Sequence, residues 1–170
     1  DLITLGETPA DYDKHFILVD DIDLDPSLPG RKVFDRAVIA PNTDPGDPNI
    51  YAWPPFTGVA FTGVLNGRGH TISHLTVRGK DHVGLFGQVG SGGEVENLGV
   101  VAVNIAGSSD YVGGLVGEND SGTLTQCYST GAVSGGRDVG GLVGANTLYY
   151  GGNVTHCYTT CRVSGDSSRA

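Results

Sequence analysis

Residues 112–117 read VGGLVG, and residues 139–144 read VGGLVG again. In a core where every position meets different neighbours, verbatim repetition has no purpose. In a stack of near-identical units, each packed on its own copy, it does. The likeness extends past the phrase. Residues 112–138 are VGGLVGENDSGTLTQCYSTGAVSGGRD, and residues 139–165 are VGGLVGANTLYYGGNVTHCYTTCRVSG, three residues longer before the Gly-x-Val step. A more divergent copy, VGLFGQVGSGGEVENLGVVAVNIAG, occupies 83–107, and LNGRGHTISHLTVRG at 65–79 matches only the middle of the unit.

Equivalent glycines Gly87, Gly117 and Gly144 are 30 and then 27 residues apart, the length of one solenoid coil. Within a coil the apolar phrases are short, rich in Val, Leu, Thr and Tyr, and punctuated by Gly, Asn and Ser, with no helical period. The spacing predicts an all-β solenoid, three short strands per coil, with strands at 115–118, 123–129 and 132–134 in one copy. Stacking then makes columns. Ile72, Val95, Leu124 and Val154 are expected to form one inward column, and Leu75, Leu98, Cys127 and Cys157 another. A separation of three breaks strict alternation, so a bend is expected between them at His74, Asn97, Gln126 and His156, where polar side chains suit a turn.

Upstream the pattern changes. Thr8-Pro9-Ala10-Asp11 predicts a short helical cap, with Thr8 as N-cap, Pro9 in the first helical position and Asp11 closing a capping box. The stretches 16–19 and 21–25 read as the first strands, with Ile22 and Leu24 inward and the aspartates outward. The Pro- and Asp-rich text of 26–55 reads mainly as loop, with a short apolar piece at 37–40. The chain therefore divides into a cap, first strands and loop at 1–60, and coils at 61–170, in one continuous domain.

Composition limits the partners. The 170 residues carry a formal net charge of -9, which argues against binding a nucleic-acid backbone. The 28 glycines recur inside apolar phrases and so act as turn punctuation, not as a flexible tract. No apolar run approaches the ~20 residues of a membrane span. No methionine is present, so Asp1 is not expected to be a translation start, and a processed or excerpted chain is expected. Secretion suits either. The three cysteines match no zinc spacing.

The phrases VGGLVGEN, CYSTGAVSG and VGGLVGAN resemble the GLUG-motif repeat of bacterial surface and secreted proteins. HFILVDDIDL and FTGVLNGRGHTISHLTV resemble the lead-in that precedes such repeats. The resemblance implies a right-handed parallel β-helix, an extracellular or cell-surface location, and structural or adhesive work with no catalytic set. The sequence departs from the repeat at Asn66, where Asp is usual, and at Cys161, where Gly is usual.

Parallel β-helices also carry polysaccharide lyases and hydrolases, so carboxylates and aromatic rings are the residues to weigh. Asp21, Asp23 and Asp25 read as turn and surface aspartates, with a Ca²⁺ site as the alternative, although the Gly and distal Glu of an EF-hand loop are missing. No other cofactor is implied. Asp81, Asp110 and Asp138 precede equivalent valines and are expected at one corner, where neighbouring Lys80 and Arg137 or a cation would offset their repulsion. The histidines, His82 included, read as turn or surface residues. Cys127 and Cys157 read as stacked buried thiols, or alternatively as a disulfide pair.

Asn119 and Asn153 fit the N-glycosylation triplet. Trp53, Tyr149 and Tyr150 are the aromatic candidates for stacking on sugar, with packing over the solenoid as the bland alternative. The functional expectation is a secreted or surface-displayed structural or adhesive module; the alternative is a protein that binds or degrades polysaccharide. Its last coil is expected to be covered by further repeats or by an identical subunit stacked head-to-tail into a fibre.

Overall fold

The computed structural model of the chain describes residues 2–43, 55–147 and 151–165. A short helix, α1 (Leu2–Gly6), and a 3-10 turn (Pro9–Asp11) precede β1 (His15–Ile17) and β2 (Ile22–Asp23). Winding continues through β3 (Val64–Asn66), β4 (Thr71–Ser73), β5 (Thr76–Gly79) and β6 (Phe86–Val89). Next come β7 (Glu94–Glu96), β8 (Gly99–Gly107), β9 (Val112–Gly113) and β10 (Val116–Asn119). The repeat pair adds β11 (Thr123–Thr125), β12 (Tyr128–Gly135), β13 (Val139–Gly140) and β14 (Val143–Asn146), then β15 (Asn153–Thr155), β16 (Tyr158–Thr159) and β17 (Arg162–Gly165).

All named pairings are parallel, and they assemble a β-solenoid. One face is β1-β3-β7-β11-β15, a second is β2-β4-β8-β12-β16 with β5 and β17 alongside, and a third is β6-β10-β14. The short pair β9-β13 closes a corner. Strand boundaries differ from those read in the sequence. The expected strand at 123–129 breaks at Gln126, and the expected strand at 132–134 belongs to β12, which runs from Tyr128 to Gly135 with an irregularity between Ser129 and Gly131.

The core is a set of stacked columns. Leu65, Val95 and Leu124 are paired in register with Val154 beyond them, and the first three are essentially inaccessible to solvent. Ile72, expected in this column, instead pairs with Ile22 and Val100 on the second face. The reason is an insertion. Asn66 pairs with Glu96 while Thr71 pairs with Gly99, so the connection through Gly67–His70 is longer than the one through Asn97–Leu98. The longer bend moves everything after it to the next face. Leu75 and His74 therefore leave their expected columns too, and His74 sits beside Ala102 while Asn97, Gln126 and His156 share the first bend.

The predicted bends are real and have one conformation. Asn97, Gln126 and His156 have φ of 53°, 53° and 55°, and His74 and Ala102 turn the second corner at 57° and 53°. A left-handed residue other than Gly costs roughly 1–2 kcal/mol. Inter-coil bonds offset this cost: the N–H of Asn97 donates to Thr125 O at 3.0 Å, that of Gln126 to Thr155 O at 3.1 Å, and that of His74 to Val101 O at 2.9 Å.

The repeated phrase owes its glycines to crowding. A Cβ on Gly113 would lie 2.0 Å from Val116 O, and one on Gly140 would lie 1.8 Å from Val143 O. A Cβ on Gly117 would meet His82 C and Val83 N in the preceding coil at 2.7 and 2.8 Å. These are backbone atoms, which cannot swing aside.

The N-terminal cap differs from its prediction. Pro9 does open a helical turn, but Thr8 makes no N-capping bond, and its hydroxyl donates back to Thr4 O at 2.8 Å. Asp11 pairs with Lys14 instead of closing a capping box. The preceding helix, which the sequence reading missed, sends Leu2 and Leu5 into the core, while Tyr12 Oη donates to Gly6 O at 2.7 Å.

Two predictions follow from this packing. Leu124→Asp places a charge in a fully enclosed column and is expected to lower stability by at least about 3 kcal/mol, whereas outward Thr125→Lys, opposite Glu96, is expected to stay within about 0.5 kcal/mol of the parent; urea unfolding of both reads the difference. Gly117→Ala, whose methyl would strike neighbouring backbone, is expected to cost about 2 kcal/mol or more and to lower the melting temperature in calorimetry.

Candidate functional site

Three groups of side chains carry chemistry. On the outer edge of β2, Asp21 Oδ1 accepts the Thr71 N–H at 2.7 Å with His70 Nδ1 at 3.4 Å. Asp23 Oδ1 meets His74 Nδ1 at 2.9 Å and accepts the Asp25 N–H at 2.9 Å, and Asp25 Oδ1 accepts the Ser27 N–H at 2.9 Å. All three pKa values lie below the ordinary carboxylate range: Asp21 chiefly through the Thr71 amide, Asp23 through His74, and Asp25 through the Ser27 amide. These aspartates tie turns and neighbouring coils together. Among the described residues no three His, Cys, Asp or Glu side chains converge as ligands for a metal ion.

The second group lies at the corner before β9. The valines pair as expected, but Asp138, one residue before its valine where Asp81 and Asp110 stand two before theirs, leaves the aspartate column. Val83, Val112 and Val139 are partners, which stacks Asp81 with Asp110 and Arg137, and His82 with Tyr111 and Asp138. The latter three residues have φ of 47°, 60° and 53°. Arg137 answers the expected carboxylate repulsion directly: its N–H and its Nη2 donate to Asp110 Oδ1 and Oδ2 at 2.8 and 3.0 Å. Burial raises the pKa of Asp138, with Asp110 adding to the rise.

His82, read in the sequence as a turn or surface residue, is 1% exposed. Its Nδ1 lies 2.9 Å from Asp81 Oδ1 and its Nε2 lies 3.2 Å from Glu118 Oε2, which also accepts from Gln88 Nε2 at 2.7 Å. Asn42 Nδ2 reaches Asp81 Oδ1 at 2.6 Å. Sequence reasoning missed this cluster. Its only trace was polar Gln88 and Glu118 at matching places in glycine-flanked apolar phrases.

The third group is a set of ladders between coils. Asn119 Nδ2 donates to Asn146 Oδ1 at 3.0 Å, and Asn119 Oδ1 accepts the Gly122 N–H at 3.1 Å. Asn119 is therefore fully buried with its amide committed, whereas Asn153 is exposed. Ser129 Oγ donates to Thr159 Oγ1 at 2.8 Å, and the Tyr128 and Tyr158 rings stack with centroids 5.1 Å apart. The Cys127 N–H points to Cys157 Sγ at 3.4 Å. All three cysteines are free thiols, and burial pushes the Cys127 pKa up to about 12, as befits an apolar filler. Trp53, Tyr149 and Tyr150 lie outside the described residues.

Beside α1, an apolar groove of about 410 Å³ is lined by Leu2, Leu5, Phe16, Leu18 and Ile22, with Asp11 and Asp20 also along it. No acid, base and nucleophile converge there. The described helices include none long and apolar enough to cross a membrane.

Parallel strands stacked in register, glycines at the crowded corners and polar ladders between coils define a repeat-built β-solenoid. The GLUG motif matches residues 108–134, so the chain carries a GLUG repeat. Halomucin of Haloquadratum walsbyi is 35% identical over 151 residues, 86% of this chain and 2% of that protein. A protein of Evansella cellulosilytica described as a Gly-rich membrane protein is 34% identical over 111 residues, 62% of this chain and 11% of its own length. The chain thus spans a small part of the curated relatives it matches. No solved structure matches it significantly.

The Asp110–Arg137 contact yields a prediction. Arg137→Ala leaves Asp110 buried beside Asp138 and is expected to cost about 2–3 kcal/mol. Adding Asp110→Asn is expected to recover much of the loss, as a chemical-denaturation double-mutant cycle would show.

Proposed function

We propose that this chain is a structural segment of a cell-surface β-solenoid, used for display or adhesion, without catalysis of its own. The observation that carries this reading is where the polar side chains go. Asn119, Ser129, Asp110 and Arg137 bind the equivalent or adjoining position of a neighbouring coil, so their chemistry builds the stack instead of meeting in an open pocket. The surface setting draws support from the relatives, one a halomucin and one described as a membrane protein.

Stacking partners fit the same reading. Val154 and Val163 are 40% and 44% exposed, although their column neighbours Leu124 and Val133 are buried, and Tyr158 offers a ring face. Further repeats or an identical subunit laid head-to-tail would cover them. Calcium at Asp21, Asp23 and Asp25 is not needed for this role, since each carboxylate already has a protein donor.

Incubation with pectin, alginate and other uronates separates this reading from the enzymatic one. The expected outcome is no depolymerisation; turnover lost on Asp21→Ala would overturn it. Binding without turnover would point to carbohydrate recognition, and titration of Trp53→Ala and Tyr149→Ala variants would locate it.

A further inference from the structure

Ile39 bridges to Phe86 and Phe61 to Val89, so residues 40–60 stand where the next coil has only Gly87 and Gln88. The two ends of this insertion are tied to each other. Asn42 Oδ1 accepts both the N–H and the hydroxyl of Thr57 at 2.8 Å, and Thr43 Oγ1 donates to Thr57 O at 2.9 Å. They are also tied to the solenoid. Asn42 Nδ2 donates to Asp81 Oδ1 at 2.6 Å and lies 3.4 Å from His82 Nδ1, and the Phe56 ring lies 5.3 Å from that of His82.

Both nitrogens of His82 face carboxylates, Asp81 from its own corner and Glu118 from β10 in the following coil. A neutral imidazole carries one N–H, so one contact would set a lone pair against a carboxylate oxygen. Only the imidazolium donates to both. Asp81 Oδ2 has no partner among the described residues, which leaves Oδ1, with its His82 and Asn42 contacts, to hold that buried charge.

We propose that His82 is held as an imidazolium, and that this charge locks the base of the 40–60 insertion onto two successive coils, a lock that loosens when the proton leaves. The groups around it are accounted for. Asp81 and Glu118 supply the negative charge, Gln88 from β6 and Asn42 from the insertion are neutral, and Tyr111 packs its ring at 4.6 Å. Behind Tyr111 stand Asp110, paired with Arg137, and Asp138.

Burial alone would lower the pKa of His82, but the hydrogen bonds to Asp81 and Glu118 outweigh it, and the net direction is upward. Tyr111 is pushed up to about 12 by burial and by Glu118, so it stays neutral over the range concerned. A folded pKa raised above its unfolded value of about 6.5 gives stability that is complete below that value and lost as pH rises through the folded one.

Nitrogen-15 NMR of the imidazoles in the whole chain, titrated from pH 5 to 9.5, tests the proposal. His82 is expected to keep both ring protons to higher pH than the histidines of the urea-unfolded chain, and the Thr57 amide resonance should shift with the same midpoint. Glu118→Gln retains an acceptor but removes one charge, and is expected to lower both midpoints together; His82→Gln should abolish the Thr57 transition. If His82→Gln does not fold, the Glu118→Gln comparison still decides. A His82 that titrates with or below the histidines of the unfolded chain, or a Thr57 transition unmoved by Glu118→Gln, would overturn the lock.

Discussion

The close approach of one coil's backbone to the next is the constraint on which everything else rests. Parallel ladders require the coils to sit about 4.8 Å apart at every face. Corners cannot keep that spacing if a side chain intrudes, and Gly117 and Gly144 lie within 2.8 Å of neighbouring backbone atoms once a Cβ is imagined on them. With the corners closed, the columns of Val, Leu and Ile come into register without further instruction. The left-handed bends at Asn97, Gln126 and His156 are then tolerated because each lies in a stack of identical bends.

This explains which parts of the fold were legible beforehand. A repeat period is written in identity and spacing, so the solenoid, the bend at Gln126 and the stacking of Cys127 on Cys157 could be read from the text. A coil that departs from the repeat is another matter. Ile72 and His74 were misplaced because Gly67–His70 lengthens one bend, and nothing local distinguishes a longer bend from a shifted strand. The helix at Leu2–Gly6 was missed because five residues carry too little period to be seen, and their placement depends on the core they cover.

The chemistry was less legible than the fold for a related reason. Sequence reading weighs polar residues by clustering along the chain, which drew attention to Asp21, Asp23 and Asp25. Those residues are surface turn ties. The buried group is assembled from Asn42, Asp81, Gln88 and Glu118, which lie far apart in sequence and meet because Asn42 reaches Asp81 from one coil and Glu118 reaches His82 and Gln88 from another. His82 looked ordinary since its neighbours in space are supplied by other coils.

Finally, the hydrogen bonds between coils run along the solenoid axis, and this has a mechanical consequence. A coil of 27 or 30 residues adds only about 4.8 Å of height. Length along the axis therefore demands long chains. A pull along that axis meets the bonds of a whole cross-section at once, and when one coil does yield it releases roughly 90–100 Å of extended chain. Such a stack is stiff under small loads and yields in large, discrete lengths under heavy ones, so a tether built from it would absorb a sudden strain without parting.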